Sequence, residues 1–110
     1  QLEALYQVAD LYVCPSMVEG FGLPVVDALR RNVPVLANDV AVLREVGGDA
    51  ARYADATDAT AFGRAIRAAM ATPPDDAERA SARVWASRFT WDDAASATAA
   101  VLADPARRTR

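Results

Sequence analysis

Three short apolar runs, "LYVCP" (11–15), "PVLA" (34–37) and "ARYA" (51–54), alternate with segments patterned as helices, and the links between them are short. A strand that is apolar at successive positions has no face to give to water. It must be buried on both sides, which is the condition of a strand in a parallel sheet covered by helices. Leu2, Leu5, Tyr6 and Ala9 recur at helical spacing, so residues 2–9 read as the end of a helix. Pro24 and Asn32 bracket a helix over 24–31. "NDVAVLREVGG" reads as a short helix with Asp39 as its N-cap and Gly47 or Gly48 as its stop. After residue 58 helices take over. One presents Phe62, Ile66, Ala69 and Met70 on an apolar face and ends at Pro73-Pro74. A second runs from Asp75 to about Arg88, and a third from the candidate N-cap Thr90 to about Ala103. The tail "DPARRTR" is polar and reads as frayed. The fold class is therefore α/β: a three-layer domain with a parallel sheet and a helix-rich C-terminus. Gln1 already lies within a helical pattern. The reading expects further strands upstream, and this segment to be the C-terminal half of one doubly wound domain.

The 110 residues suit one domain. A net charge of -3 lacks the basic excess of a general nucleic-acid binder. All twelve basic residues are arginine, and histidine is absent. The commonest general base and metal ligand are thus missing from this chain, and a Ser-His-Asp or Cys-His mechanism cannot be completed within it. Cys14 is the one cysteine; its apolar neighbours make it a buried, inert thiol. No apolar stretch reaches the ~20 residues needed to span a bilayer, and no charged start precedes an apolar run. A cytoplasmic protein is expected, with peripheral attachment at the inner face of the membrane left open. The Asp pairs at 75–76 and 92–93 fall at helix N-termini, where acids complement the dipole, and no D-x-D triplet exists to suggest a metal–diphosphate site.

"VEGFGLPVVDAL" (18–29) carries the chemistry. It follows the first strand and opens the next helix, the place where such sheets bind ligands. Gly20 and Gly22 let a ligand approach the backbone closely. The amides of residues 21–23 and of the first helical turn offer an anion site suited to a phosphate or diphosphate. Glu19 and Asp27 flank that turn, and carboxylates are good acceptors for vicinal hydroxyls. A ligand with phosphates in its middle and hydroxyls at both ends, such as a nucleotide sugar, satisfies the whole set. The plainer reading gives the glycines to the turn alone, Asp27 to the helix dipole and Glu19 to solvent. Ser16 and Asn38 end the first two strands on the same edge and are further candidates for donor contact.

"PSMVEGFGLPVVDAL", "NVPVLANDVAVLREVGGDAARYAD" and "FTWDDAA" closely resemble the C-terminal domain of glycosyltransferase family 4, over about residues 2–102. That resemblance implies a GT-B fold, two Rossmann-like domains with the active site between them, of which residues 1–110 would form part of the second. It implies a metal-independent, retaining hexosyl transfer from a UDP- or GDP-sugar, with no cofactor. Glu19 matches the acid that contacts the donor sugar and is the catalytic candidate. Asp27 matches the acid that holds the ribose hydroxyls. Gly20, Phe21, Gly22 and Leu23 match the segment whose backbone lines the sugar and diphosphate. An Arg and Lys pair and the N-terminal acceptor domain are expected before Gln1, so the segment alone is expected to be inactive. The acceptor is a glycan, lipid or small molecule.

Two departures stand out. Asp27 is shorter than the family's usual glutamate by about 1.5 Å, one carbon–carbon bond. "RRNVPV" replaces the common small-residue–glycine turn, and Asn32 is expected to adopt the left-handed conformation there. Glu45 suits helix-end and ligand roles equally. Trp85 and Trp91 read as core anchors, and the arginines of the second half as solvated helix faces. The rival functions are a sugar-nucleotide epimerase or phosphorylase on the same fold, and a binding module that has lost catalysis.

Overall fold

The computed structural model describes residues 2–18, 20–104 and 106. Helix α1 (Leu2–Val8) leads into strand β1 (Tyr12–Cys14), followed by α2 (Leu23–Arg30), β2 (Val35–Asn38), α3 (Ala41–Gly47) and a 3-10 turn (Gly48–Ala50). Strand β3 (Arg52–Ala54) and helices α4 (Ala59–Ala71), α5 (Asp76–Ala86) and α6 (Trp91–Ala103) follow among the described residues. The sheet is parallel with order β1-β2-β3, as the buried apolar runs require. Val13 stands beside Leu36, and Ala37 beside Tyr53. β1 and β3 are a little shorter than their apolar runs, and β2 is as long as its run but shifted one residue toward Asn38. Pro15 lies beyond β1, and Pro34, just before β2, has no N–H but lends its carbonyl to Tyr12 N at 2.8 Å.

All four residues of β2 are buried. Alternate side chains of a strand leave on opposite faces. Val35 and Ala37 join the main core with Val25, Val26, Ala28 and Leu29 of α2, Leu43 and Val46 of α3, and Ala86 of α5. Leu36 is equally buried but stands outside that cluster, as do Phe62 and Ala69 of α4. Helix α4 packs on β2 and β3, so it covers the other face and completes three layers. Burial of each leucine contributes ~1.5–3 kcal/mol. Cys14 is free and buried, as expected.

Helix ends follow their local chemistry. Asn32 is left-handed, with φ 63°. Val33 N bonds Ala28 O at 2.9 Å and Asn32 N bonds Leu29 O at 3.2 Å, a Schellman closure in which asparagine replaces glycine. Asp75 caps α5 in a reciprocal box with Glu78, and Thr90 Oγ1 accepts from Asp93 N at 3.0 Å to cap α6. Asp39, however, does not cap α3. Val40 occupies that position with no side-chain bond, while Asp39 pairs with Arg44 through both oxygens. The planar guanidinium offers two donors where the helix offers one, and this pairing holds the Asp39 carboxyl below its ordinary pKa.

Three further expectations are corrected. Met70 is half exposed: it lies one residue, about 100° of helix, beyond the buried Phe62–Ala69 line, and a sheet of three strands covers only a narrow stripe. Arg79 is not merely solvated, because it donates to Asn32 O at 2.5 Å and to Pro74 O at 3.2 Å, tying α5 to the turn after α2. Arg88 stacks on the Trp85 ring at 4.1 Å. Trp85 itself packs against the core and donates from Nε1 to Val46 O at 2.7 Å. The side chain of Trp91 and residues 105 and 107–110, most of the polar tail, lie outside what is described. Residues 92–103 of α6 are exposed throughout.

Gly48 has φ 50°, and a Cβ there would fall 2.6 Å from the Trp85 ring. Gly48→Ala should therefore destabilise the protein by about 2 kcal/mol or more, read as a lowered urea midpoint. Tyr53 donates to Gly48 O at 2.7 Å, and burial pushes its phenol up to about 12, against the opposing pull of the Arg44 guanidinium. A phenol that holds its proton more tightly when folded contributes stability in full below its ordinary pKa of 10 and loses it as pH rises from 10 to about 12. Stability should fall across that window, and Tyr53→Phe should flatten the fall in unfolding titrations at stepped pH.

Candidate functional site

The segment between β1 and α2 emerges at the carboxyl end of the sheet, beside the end of β2. Helix α2 starts at Leu23, so Pro24, which lacks an N–H, falls within its first turn. Gly22 is the N-cap residue at φ 85°, ψ 37°, a left-handed conformation that suits glycine. Its carbonyl accepts from Val25 N at 3.0 Å and Val26 N at 3.4 Å. The first-turn amides are therefore partly spent inside the helix, which narrows the expected anion donors to the amides of residues 21–23. Among the described residues no side chain caps this end.

The two glycines differ in kind. Gly22 is required by its backbone angle. A Cβ built on Gly20 meets nothing within 4 Å. No packing contact of the described residues demands a glycine there. Glu19, the first acidic candidate, lies outside the described residues.

Asn38 takes a different role from the one expected. It is 2% exposed. Its Nδ2 donates to Ser16 O at 3.1 Å and lies 3.4 Å from Met17 Sδ, while its Oδ1 accepts from Ala56 N at 2.8 Å. Both ends of the amide are engaged by backbone, so Asn38 fixes the loops after β1 and β3 rather than reaching for a ligand. Ser16 is held by that same bond through its carbonyl, and its Oγ lies 3.8 Å from Cys14 Sγ as a weak acceptor.

Asp27 stands at the start of the second turn of α2, with its side chain 42% exposed. It lines a cleft of about 570 Å³ together with Phe21 and Leu23, so three of the expected site residues share one space. The far wall comes from the α5–α6 junction, through Arg88, Phe89, Thr90 and Asp93. Phe21 meets Phe89 edge-on at 5.7 Å, and Phe89 meets Trp85 at 6.1 Å. Arg30 bonds the Phe89 carbonyl. Sequence reasoning gave this wall only an architectural part; its single advance signal was the aromatic "FTW". On the other side Asp27 faces Arg31 and Tyr6, and burial followed by the Asp27 charge raises the Tyr6 phenol. Glu45 is exposed. A second cleft, near Pro34, Asp49 and Arg52, opens at the amino ends of the strands, away from the glycine loop.

Residues 1–84 match the model of the family described as Glycosyl transferases group 1. The chain belongs to that family. Among relatives of these group 1 glycosyltransferases, O-antigen chain mannosyltransferase B of Escherichia coli is 39% identical over 101 residues, covering 88% of this chain and 26% of its own. D-inositol 3-phosphate glycosyltransferase of Streptomyces griseus is 37% identical over 116 residues, covering 96% of this chain and 24% of its own. The structure of sucrose-phosphate synthase from Thermosynechococcus elongatus superposes with a TM-score of 0.74 at 26% identity, over 88% of this chain and 25% of that one. The chain thus spans about a quarter of the length of the relatives it matches. The fold expected from the resemblance, an α/β Rossmann-like layer of the GT-B type, agrees with this group 1 membership and with the open three-stranded parallel sheet. No helix among the described residues is long and apolar enough to cross a membrane.

Asn38→Ala would leave a backbone N–H and a carbonyl without their partner, at ~1–3 kcal/mol for each group left buried. The expected loss is about 2–6 kcal/mol in urea unfolding, and the Asn38→Asp variant should lose at least as much, because it sets a buried carboxylate oxygen against the Ser16 carbonyl.

Proposed function

We propose that this chain is the donor-binding part of a retaining, metal-independent glycosyltransferase that uses a nucleotide-diphosphate hexose. The observation that carries this reading is Gly20. No described atom packs against the place where its side chain would stand, yet it sits in the loop that opens α2 at the carboxyl end of β1. Clearance for a ligand supplies the missing reason. The amides of residues 21–23 hold the diphosphate, Asp27 accepts from the ribose hydroxyls across the cleft, and Glu19 accepts from hydroxyls of the sugar. The relatives named mannosyltransferases favour a mannosyl donor, carried by GDP or UDP.

In the reaction the bond from the sugar's anomeric carbon to the diphosphate oxygen breaks, and the electron pair leaves with the nucleoside diphosphate. The acceptor's hydroxyl oxygen bonds the same face of that carbon, and its proton passes to the departing phosphate. Fixed amide dipoles favour the charge as it grows on the leaving group and need no reorganisation to do so. Glu19, beside the sugar, orients the donor for this step. The acceptor and the rest of the active cleft belong to the N-terminal domain of a full-length GT-B protein. The second reading, a module that binds donor without transferring it, draws on the short reach of Asp27.

In the full-length protein, Gly20→Ala should leave the unfolding midpoint unchanged while weakening donor binding about tenfold or more, about 1.4 kcal/mol. Glu19→Ala and Asp27→Ala should each weaken it similarly. Isothermal calorimetry with UDP- and GDP-sugars provides the measurement. Unaltered affinity in all three variants would sink the site, and binding without turnover in the parent protein would favour the second reading.

A further inference from the structure

The two departures from the family pattern, Asp27 and the arginine-bearing turn after α2, touch one another. Arg31 Nη1 lies 3.6 Å from Asp27 Oδ1 and donates to Asp27 O at 3.2 Å. The same guanidinium is fixed from α1: its Nε donates to Glu3 Oε2 at 2.7 Å, and it lies over the Tyr6 ring at 5.1 Å. Tyr6 is buried and Arg31 is a third exposed at its side chain, so the arginine is held on three sides instead of waving in solvent.

An ordinary exposed pair at i,i+4 adds only ~0.3–0.5 kcal/mol to stability, which does not account for three anchors. A rigid donor beside one carboxylate oxygen does something else. It limits rotation about the last bond of Asp27, a bond otherwise broad and roughly two-fold. Oδ1 is drawn toward the guanidinium by charge across 3.6 Å, beyond hydrogen-bond reach, and this favours one bearing of the carboxylate over the others. An aspartate that is one carbon short gains most from this, because it cannot compensate for a wrong bearing by reach.

We propose that Arg31, anchored by Glu3 and Tyr6, is a positioning residue that holds the Asp27 carboxylate ready for the hydroxyls of the donor. The proposal rests on the reading of Asp27 as a donor contact and adds a residue to it. Arg31 acts through Asp27 and touches no reacting atom, so its loss should be felt in donor recognition and not in the chemical step.

The test is a double-mutant cycle in the full-length protein, with steady-state kinetics over donor concentration and a thermal melt of each variant. Arg31→Met should raise the donor KM about five- to tenfold with kcat changed less than about twofold, and the same change should be nearly without effect in an Asp27→Asn background. Glu3→Gln releases Arg31 without altering α2 and should show the same split, smaller in size. Arg31→Lys should recover part of the loss, since an ammonium can pair with Asp27 but cannot present a fork to both acids. Equal effects of Arg31→Met in the two backgrounds would overturn the proposal, as would an unchanged KM in Arg31→Met while Asp27→Asn raises it. An unchanged KM in Asp27→Asn itself would instead remove the donor contact on which the proposal stands. If Arg31→Met melts early, Glu3→Gln decides between these outcomes on the same criteria.

Discussion

Strand β2 is hydrogen-bonded on both sides and buried at every residue. A strand in that position cannot tolerate a polar side chain unless the chain around it supplies partners, because an unpaired polar group in an apolar interior is costly. Its last residue, Asn38, is polar and meets the condition with two backbone partners on two different loops. The end of the sheet is thereby converted from a hydrophobic edge into a fixed platform. The loop after β1 and the loop after β3 are both referenced to one amide, and the glycine segment begins one residue beyond Met17 of that platform.

Much of the fold was legible because the signals were local and agreed with one another. Three apolar runs, two of them bounded by a proline, an asparagine in the place of a helix-ending glycine, and acids or threonine before helix starts each determine short-range geometry. The errors arose where a side chain had two competing partners. Asp39 could cap a helix or pair with Arg44, and the bidentate pair won. Asn38 could face a ligand or satisfy two backbone groups, and burial decided. Met70 obeyed helical spacing, but the sheet beneath it was too narrow.

The site was legible only in part. "EGFGLP" announced a turn, yet it could not separate Gly22, required by its φ of 85°, from Gly20, against whose missing side chain the described fold packs nothing. The wall contributed by Phe89 and its neighbours was out of reach for a further reason. Its partner Phe21 lies 68 residues away in sequence, counted from 21 to 89. Nothing in either segment's own pattern encodes that distance. The Glu3–Arg31 pairing, across 28 residues, was hidden in the same way.

The aromatic series from Trp85 through Phe89 to Phe21 has a consequence for how the molecule can change. One end is fastened to the carbonyl of Val46 at the close of α3, and the other is part of the glycine loop before α2. A residue whose evident task is to fill space behind the sheet is thus mechanically continuous with the loop at the front. Under the proposed function, packing and donor recognition share side chains here. Variation that repacks the α5 side would then carry over into the loop's placement, and the history of donor preference in such a domain would be written partly in positions that no donor touches.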